Sequence, residues 1–160
     1  MRDRIFAPED KRWLFNKLRI TNDNPDGLFE SNKDILVFAA ALGFKHNNPV
    51  EFGSKKDVEI PFHVFNKDNK DFLDVIALGS TLKNKEGDVN ILSWQDDTIV
   101  EQKFTLFEQY ANGGLEIIDQ EVFQNNTYMF DNLLQLIHNE IENNQTERDI
   151  TNLEDLVELI

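Results

Sequence analysis

Three histidines, thirty carboxylates and four serines are the side chains in this 160-residue sequence with which protons are moved, metals held or carbonyls attacked. Their spacing assembles none of the familiar constellations. His46, His63 and His138 fall on three different expected elements, and none belongs to an H-E-x-x-H pattern. His138 and Glu142 stand at i, i+4, close enough on a helix to share an ion, but polar helix faces produce that pair by chance. Asp96, Asp97 and Glu101, and again Glu116 and Asp119, offer neighbouring carboxylates for acid–base work; with so many acids such neighbours are inevitable. Asp96 and Asp97 also sit where a helix should start, and negative charge there complements the helix dipole. The serines lack a nucleophile elbow, the glycines lack a phosphate-loop pattern, and Asp68–Asp71 has the wrong spacing for a calcium loop. With no cysteine, thiolate nucleophiles, thiolate metal sites and disulfides are excluded. The sequence therefore assigns no catalytic, cofactor-binding or metal-binding residue and implies no cofactor. An enzyme with a dispersed site around His63 or His138 is kept as an alternative.

Charge narrows the partners. Residues 1–60 hold ten basic and ten acidic side chains, whereas residues 61–160 hold six and twenty, so the second part supplies the whole net charge of −14. Such a field repels phosphates and anionic membranes. The only basic stretch is N-terminal, with Arg4, Lys11, Arg12, Lys17 and Arg19 as candidate nucleic-acid contacts, diluted by Asp3, Glu9 and Asp10. The longest apolar run, Ile35–Gly43, is too short to cross a bilayer, and Met1–Phe6 lacks the apolar run of a signal peptide. A cytoplasmic address and no membrane partner are expected.

The elements follow from periodicity and punctuation. Pro8 reads as the first position of a helix running to residue 19, with Trp13, Leu14 and Leu18 on one face. Asn24-Pro25-Asp26-Gly27 is a turn. Ser31 and Asp34 form a capping-box start for a helix through Leu42, with Gly43 placed as its left-handed C-cap. The alternation in Val58–Phe65 suggests a strand, which Pro61 confines to an edge. A polar turn at Asn66–Asp71 leads to a short helix, a loop covers Lys83–Asp88, and Val89–Trp94 reads as a short strand. Val100, Phe104, Phe107, Ala111, Leu115, Ile118 and Val122 then step by 4, 3, 4, 4, 3 and 4. That stripe keeps its phase across Gly113-Gly114, so one continuous helix is expected, the glycines admitting a neighbouring backbone, with a helix–turn–helix break there as the alternative. Thr127 caps a further helix bearing Phe130, Leu133, Leu134, Ile137 and Ile141. Residues 143–149 read as a polar linker before a short acidic amphipathic segment, whose Leu153, Leu156, Val157 and Ile160 are candidate partner-binding residues, the alternative being that the segment packs back on its own domain.

Three stretches carry a resemblance. Lys33–Lys45, with its Ala39-Ala40-Ala41-Leu42-Gly43 centre, Phe107–Ile117 with Asn112-Gly113-Gly114, and Asp131–Ile137 are together similar to motifs of the dnd system-associated protein 4 family. The likeness spans about residues 1–140. It implies a bacterial setting of DNA phosphorothioation or anti-phage defence rather than a reaction, and it carries over no catalytic residue. Asn112, Asp131 and Asn132 are the polar residues named within these motifs; helix capping is their expected role, and a shared recognition point is the alternative.

The fold expected is mainly α, a single helical domain over residues 1–142 with a small central β element (edge strand or hairpin), followed by the segment 143–160. The function expected is that of a non-catalytic accessory protein binding a larger protein of the same defence system. The alternative is an acidic protein that engages nucleic acid or imitates DNA to regulate a DNA-binding partner.

Overall fold

A computed structural model describes the backbone of residues 2–84, 89–124 and 128–157, and side chains at 2–82, 90–124 and 128–143. The chain forms two compact units, Met1–Ile117 and Ile118–Ile160. It is mainly α with a small two-stranded antiparallel sheet, as the sequence pattern predicts.

In the first unit, strand β1 (Arg4–Pro8) pairs with β2 (Lys56–Pro61), placing Ile5 opposite Ile60 and Ala7 opposite Val58. These four side chains are buried, while Arg4 and Glu59 point outward, the alternation a one-sided sheet requires. The strand expected near residue 58 thus finds its partner at the N-terminus instead of in a hairpin. It stops at Pro61, after which Phe62–Val64 forms a single 3₁₀ turn. Pro8 ends β1 with extended dihedrals, so it precedes the helical segment rather than opening it. A 3₁₀ turn at Glu9–Lys11 leads into α1 (Arg12–Leu18), which buries Leu14, Phe15 and Leu18 and leaves Trp13 partly exposed. Asn24 closes α1 by donating its amide to the carbonyls of Asn16, Lys17 and Arg19.

Helix α2 (Asn32–Lys45) starts as expected: the Ser31 hydroxyl oxygen accepts the Asp34 amide N–H and donates to the Asp34 carboxylate at 2.6 Å. Its end differs. The helix continues through Gly43 to Lys45, and Asn47, with φ of 49°, takes the left-handed position. Gly43 instead serves packing. A Cβ there would lie 1.9 Å from the Tyr110 carbonyl oxygen of α4 (Asp97–Ile118), and one on Gly114 would lie 1.8 Å from the Ala39 carbonyl oxygen of α2. The two backbones meet along Ala39 and Gly43 on one side and Tyr110 and Gly114 on the other. Helix α4 is continuous through both glycines, and Val100, Phe104, Phe107, Ala111 and Leu115 are buried.

Helix α3 (Lys67–Asn84) begins earlier than the expected polar turn allows, because Asn66 caps it, accepting the Asn69 amide N–H at 2.9 Å. It buries Leu73, Ile76 and Ala77. The loop expected at 83–88 lies mostly outside the described residues. The segment read as a strand near residue 91 is a 3₁₀ turn, Val89–Leu92, which seats Ile91 against Ala77 and Ile99; the sheet has no place for a third strand there.

The second unit starts with Ile118 at the end of α4. A π-helical turn, Asp119–Phe123, follows, and then α5 (Met129–Val157). The Asn132 amide donates to the Val122 carbonyl at 2.8 Å, satisfying an orphaned acceptor at the end of that turn. Thr127, the expected cap of α5, lies outside the described residues. The backbone of α5 stays helical through 143–149, the span expected as a linker.

Candidate functional site

The first unit buries two charged groups on α4, one turn and a half apart, and each is built into its own enclosure. Lys103 is fully buried. Its Nζ lies 2.6 Å from Asp74 Oδ1 on α3 and 4.0 Å from the centroid of the Trp94 ring. The Trp94 indole N–H donates to Asp74 Oδ2 at 3.1 Å, so the carboxylate is shared between the ammonium and the indole. Phe62 stacks on Trp94, its ring 5.5 Å away at 18°, and the Lys70 ammonium stands 5.0 Å from the Phe62 centroid. A lysine acting as nucleophile or base must reach a substrate. This one is spent on a carboxylate and an indole face, which together offset its desolvation.

Glu108 is the second. Its Oε1 accepts the Phe6 amide N–H at 2.7 Å and pairs with the Arg2 guanidinium, and its Oε2 lies 3.7 Å from Lys56 Nζ. Arg2 also bonds Glu101 at 2.8 Å and lies over the rings of Phe6 and Phe104. One carboxylate thereby ties α4 to both strands. Burial pushes the Glu108 carboxyl above its ordinary value, against the opposing pull of Arg2, the Phe6 N–H and Lys56. A raised carboxyl stabilises the fold most at pH below its ordinary value of 4.5 and loses that contribution as pH rises through the raised one. Glu108→Gln cannot titrate. The stability of the native chain relative to this variant should therefore be smaller at pH 7.5 than at pH 4 in urea unfolding; an identical difference at both would contradict the assignment.

The polar motif residues divide. Asn112 is inside α4 and caps nothing: its amide donates to the carbonyls of Val50 and Glu51, clamping the segment that follows α2, while its buried Oδ1 has no partner. Asn132 closes the π turn, as already described. Asp96 does cap α4, accepting the Thr98 amide N–H at 2.9 Å.

Of the five basic candidates, Arg12, Lys17 and Arg19 line one groove, and Arg4 and Lys11 lie outside it. Arg4 lies on β1 and pairs with Glu59 across the sheet; Arg12 binds Asp57 with two nitrogens, and Lys11 stands 3.7 Å from Asp10. The hydrogen-bonded Arg12 guanidinium holds the Asp57 carboxyl below its ordinary value. Arg12, Lys17 and Arg19 line an open groove of about 610 Å³ with Asn24 and Asn32. His138 and Glu142 meet at 3.1 Å on an exposed face of α5. Among the described residues no three His, Cys, Asp or Glu side chains gather as a metal site, and no helix is long and apolar enough to cross a membrane. Leu153, Leu156 and Val157 have helical backbone, but their side chains lie outside the described set, as does Ile160.

Sequence reasoning missed the Lys103 enclosure. The signal was available: Lys103 follows Val100 by three and precedes Phe107 by four, so it occupies the buried stripe of α4. It also missed an apolar strip on α5, where Phe130 (55% exposed), Leu134 (49%) and Ile141 (53%) remain in solvent while Leu133 and Leu136 are buried. The stretch was read as apolar on one side without dividing the inward residues from the outward ones.

A comparison with protein families matches residues 4–156 to the family described as DNA sulphur modification system-associated protein 4. No curated protein and no solved structure matches the chain.

Proposed function

Because the chain belongs to the DNA sulphur modification system-associated protein 4 family, we propose that it serves that system as a non-catalytic accessory protein, binding a larger protein of the same system. The observation that carries this reading is the internal use of the buried charges. Lys103 is held by Asp74 and Trp94, and both Glu108 oxygens are taken by Arg2, Phe6 and Lys56, so the groups best suited to chemistry work as clasps of the fold. The family motifs agree in kind. Ala39, Gly43 and Gly114 are spent on the close approach of α2 and α4. Residues 143–160 are proposed as a docking segment, with Leu153, Leu156, Val157 and Ile160 as its apolar contacts.

The test is binding of the full chain to each protein of the DNA sulphur modification system of the same organism, measured by calorimetry. At least one should bind, and Leu156→Asp with Ile160→Asp should weaken it about tenfold or more. Absence of any complex would remove the accessory reading. A second reading, contact with nucleic acid, draws on the groove holding Lys17 and Arg19. It calls for a salt-dependent gel shift lost in Arg19→Glu. The inverse, imitation of DNA, calls for no shift and for displacement of DNA from a partner.

A further inference from the structure

Among the described residues, α5 carries a row of large apolar side chains that stay partly in solvent. Phe130, Leu134, Ile137 and Ile141 follow one another by 4, 3 and 4, the spacing that stacks side chains on one face of a helix. Phe130, Leu134 and Ile141 are each about half exposed, whereas Leu133 and Leu136, on the neighbouring face, are buried. The helix therefore has an inward ridge already in use and an outward strip of large apolar groups beside it. A single exposed leucine is ordinary; four apolar residues aligned over three turns form the pattern by which a helix enters a groove.

Charge selects the occupant. Residues 118–160 contain ten acidic side chains and one basic, a net charge of −9 out of the chain's −14. Asp131 and Glu142 are themselves exposed on α5 and lie on one flank of the strip. A second copy meeting this one α5 against α5 would bring the same charge to the contact and be repelled, and phosphate-bearing nucleic acid or anionic lipid would be repelled likewise. We propose that this strip of α5 docks into an apolar groove rimmed by lysine and arginine on a partner protein, with Phe130 and Leu134 as anchors and Asp131 and Glu142 facing the basic rim. The proposal rests on the accessory-protein reading and supplies it with a second contact surface, distinct from Leu153, Leu156, Val157 and Ile160.

The experiment measures the affinity of the full chain for each protein of the DNA sulphur modification system of the same organism, in 50 and 300 mM salt. Phe130→Ser with Leu134→Ser alters exposed positions and should leave the melting temperature within about 2 °C of the native chain. Affinity for the partner should fall at least about 30-fold. Asp131→Lys with Glu142→Lys should lower it about tenfold at 50 mM salt and flatten its salt dependence. The idea is overturned if the Ser variant binds as the native chain does, or if the binding partner proves to be a second copy of the chain. Loss confined to Leu156→Asp with Ile160→Asp would place the contact at the C-terminal segment alone, leaving the accessory reading intact. Failure of every protein of the system to bind would remove both.

Discussion

Gly114→Ala should destabilise the protein by about 3 kcal/mol or more, lowering its melting temperature by about 10 °C. The added methyl would fall 1.8 Å from the Ala39 carbonyl oxygen and 2.5 Å from its carbonyl carbon. Both are backbone atoms of α2, so no rotamer change relieves the clash; the helices must part, exposing apolar surface along their whole contact. Gly43→Ala meets the Tyr110 carbonyl oxygen at 1.9 Å from the other side and should act similarly. The gain in helix propensity from either change, about 1 kcal/mol, opposes the loss and is too small to offset it. Gly53→Ala is the control. Nothing lies within 4 Å of a Cβ there, and Gly53 does not have the positive φ that would disfavour alanine. Thermal unfolding of the three variants should separate sharply, with Gly53→Ala within about 1 kcal/mol of the native chain. Equal behaviour of Gly114→Ala and Gly53→Ala would mean that α2 and α4 are not in backbone contact.

The same glycines mark what a sequence reveals and what it withholds. The phase of the apolar stripe from Val100 to Val122 made a helix through Gly113-Gly114 legible, because a loop would have reset the period. The close approach of another backbone was legible too, since paired glycines inside a helix need a reason to be there. Gly43 was misread for the converse reason. A glycine near the end of an apolar run is as consistent with a left-handed cap as with a packing notch, and only the position of Tyr110, far along the chain, separates the two. Asn47 performs the capping that local reasoning assigned to Gly43.

Pairing between distant segments was the least legible part. In β1, the inward Ile5 and Ala7 are two apolar residues amid Arg2, Asp3 and Arg4, too few to announce a strand; their partners Ile60 and Val58 lie beyond two intervening helices. Local propensity contains no record of such a contact. The polar clasps share this property. Lys103, Asp74 and Trp94 belong to three separate segments, and each alone reads as an ordinary surface residue. The misfit of a lysine on an apolar stripe is the one local sign that a carboxylate must come from elsewhere. Charge partition behaved differently, since it depends on composition: the acidic excess of residues 118–160 could be counted directly, while the apolar strip beside it needed the structure.

Asp74→Ala should cost about 3 kcal/mol, and the loss should be larger than that of Lys103→Met. The two sides of this pair are unequal. The Lys103 side chain is fully buried, so removing Asp74 strands an ammonium whose remaining neighbour is the Trp94 ring. Removing the ammonium is gentler: methionine keeps much of the stem's volume, and Asp74, 24% exposed, retains the Trp94 indole N–H and access to water. Lys103→Met should cost about 1 kcal/mol. In the double variant no charge is left stranded, so its loss should fall short of the sum of the two single losses by about 1–2 kcal/mol. Urea unfolding of the four proteins closes this cycle. Additive losses would show that Lys103 and Asp74 do not stabilise one another, and the reading of the pair as a clasp, on which the non-catalytic assignment of Lys103 depends, would have to be abandoned. A coupling of the expected size, with Asp74→Ala the worse single change, is what a lysine committed to holding α3 against α4 must produce.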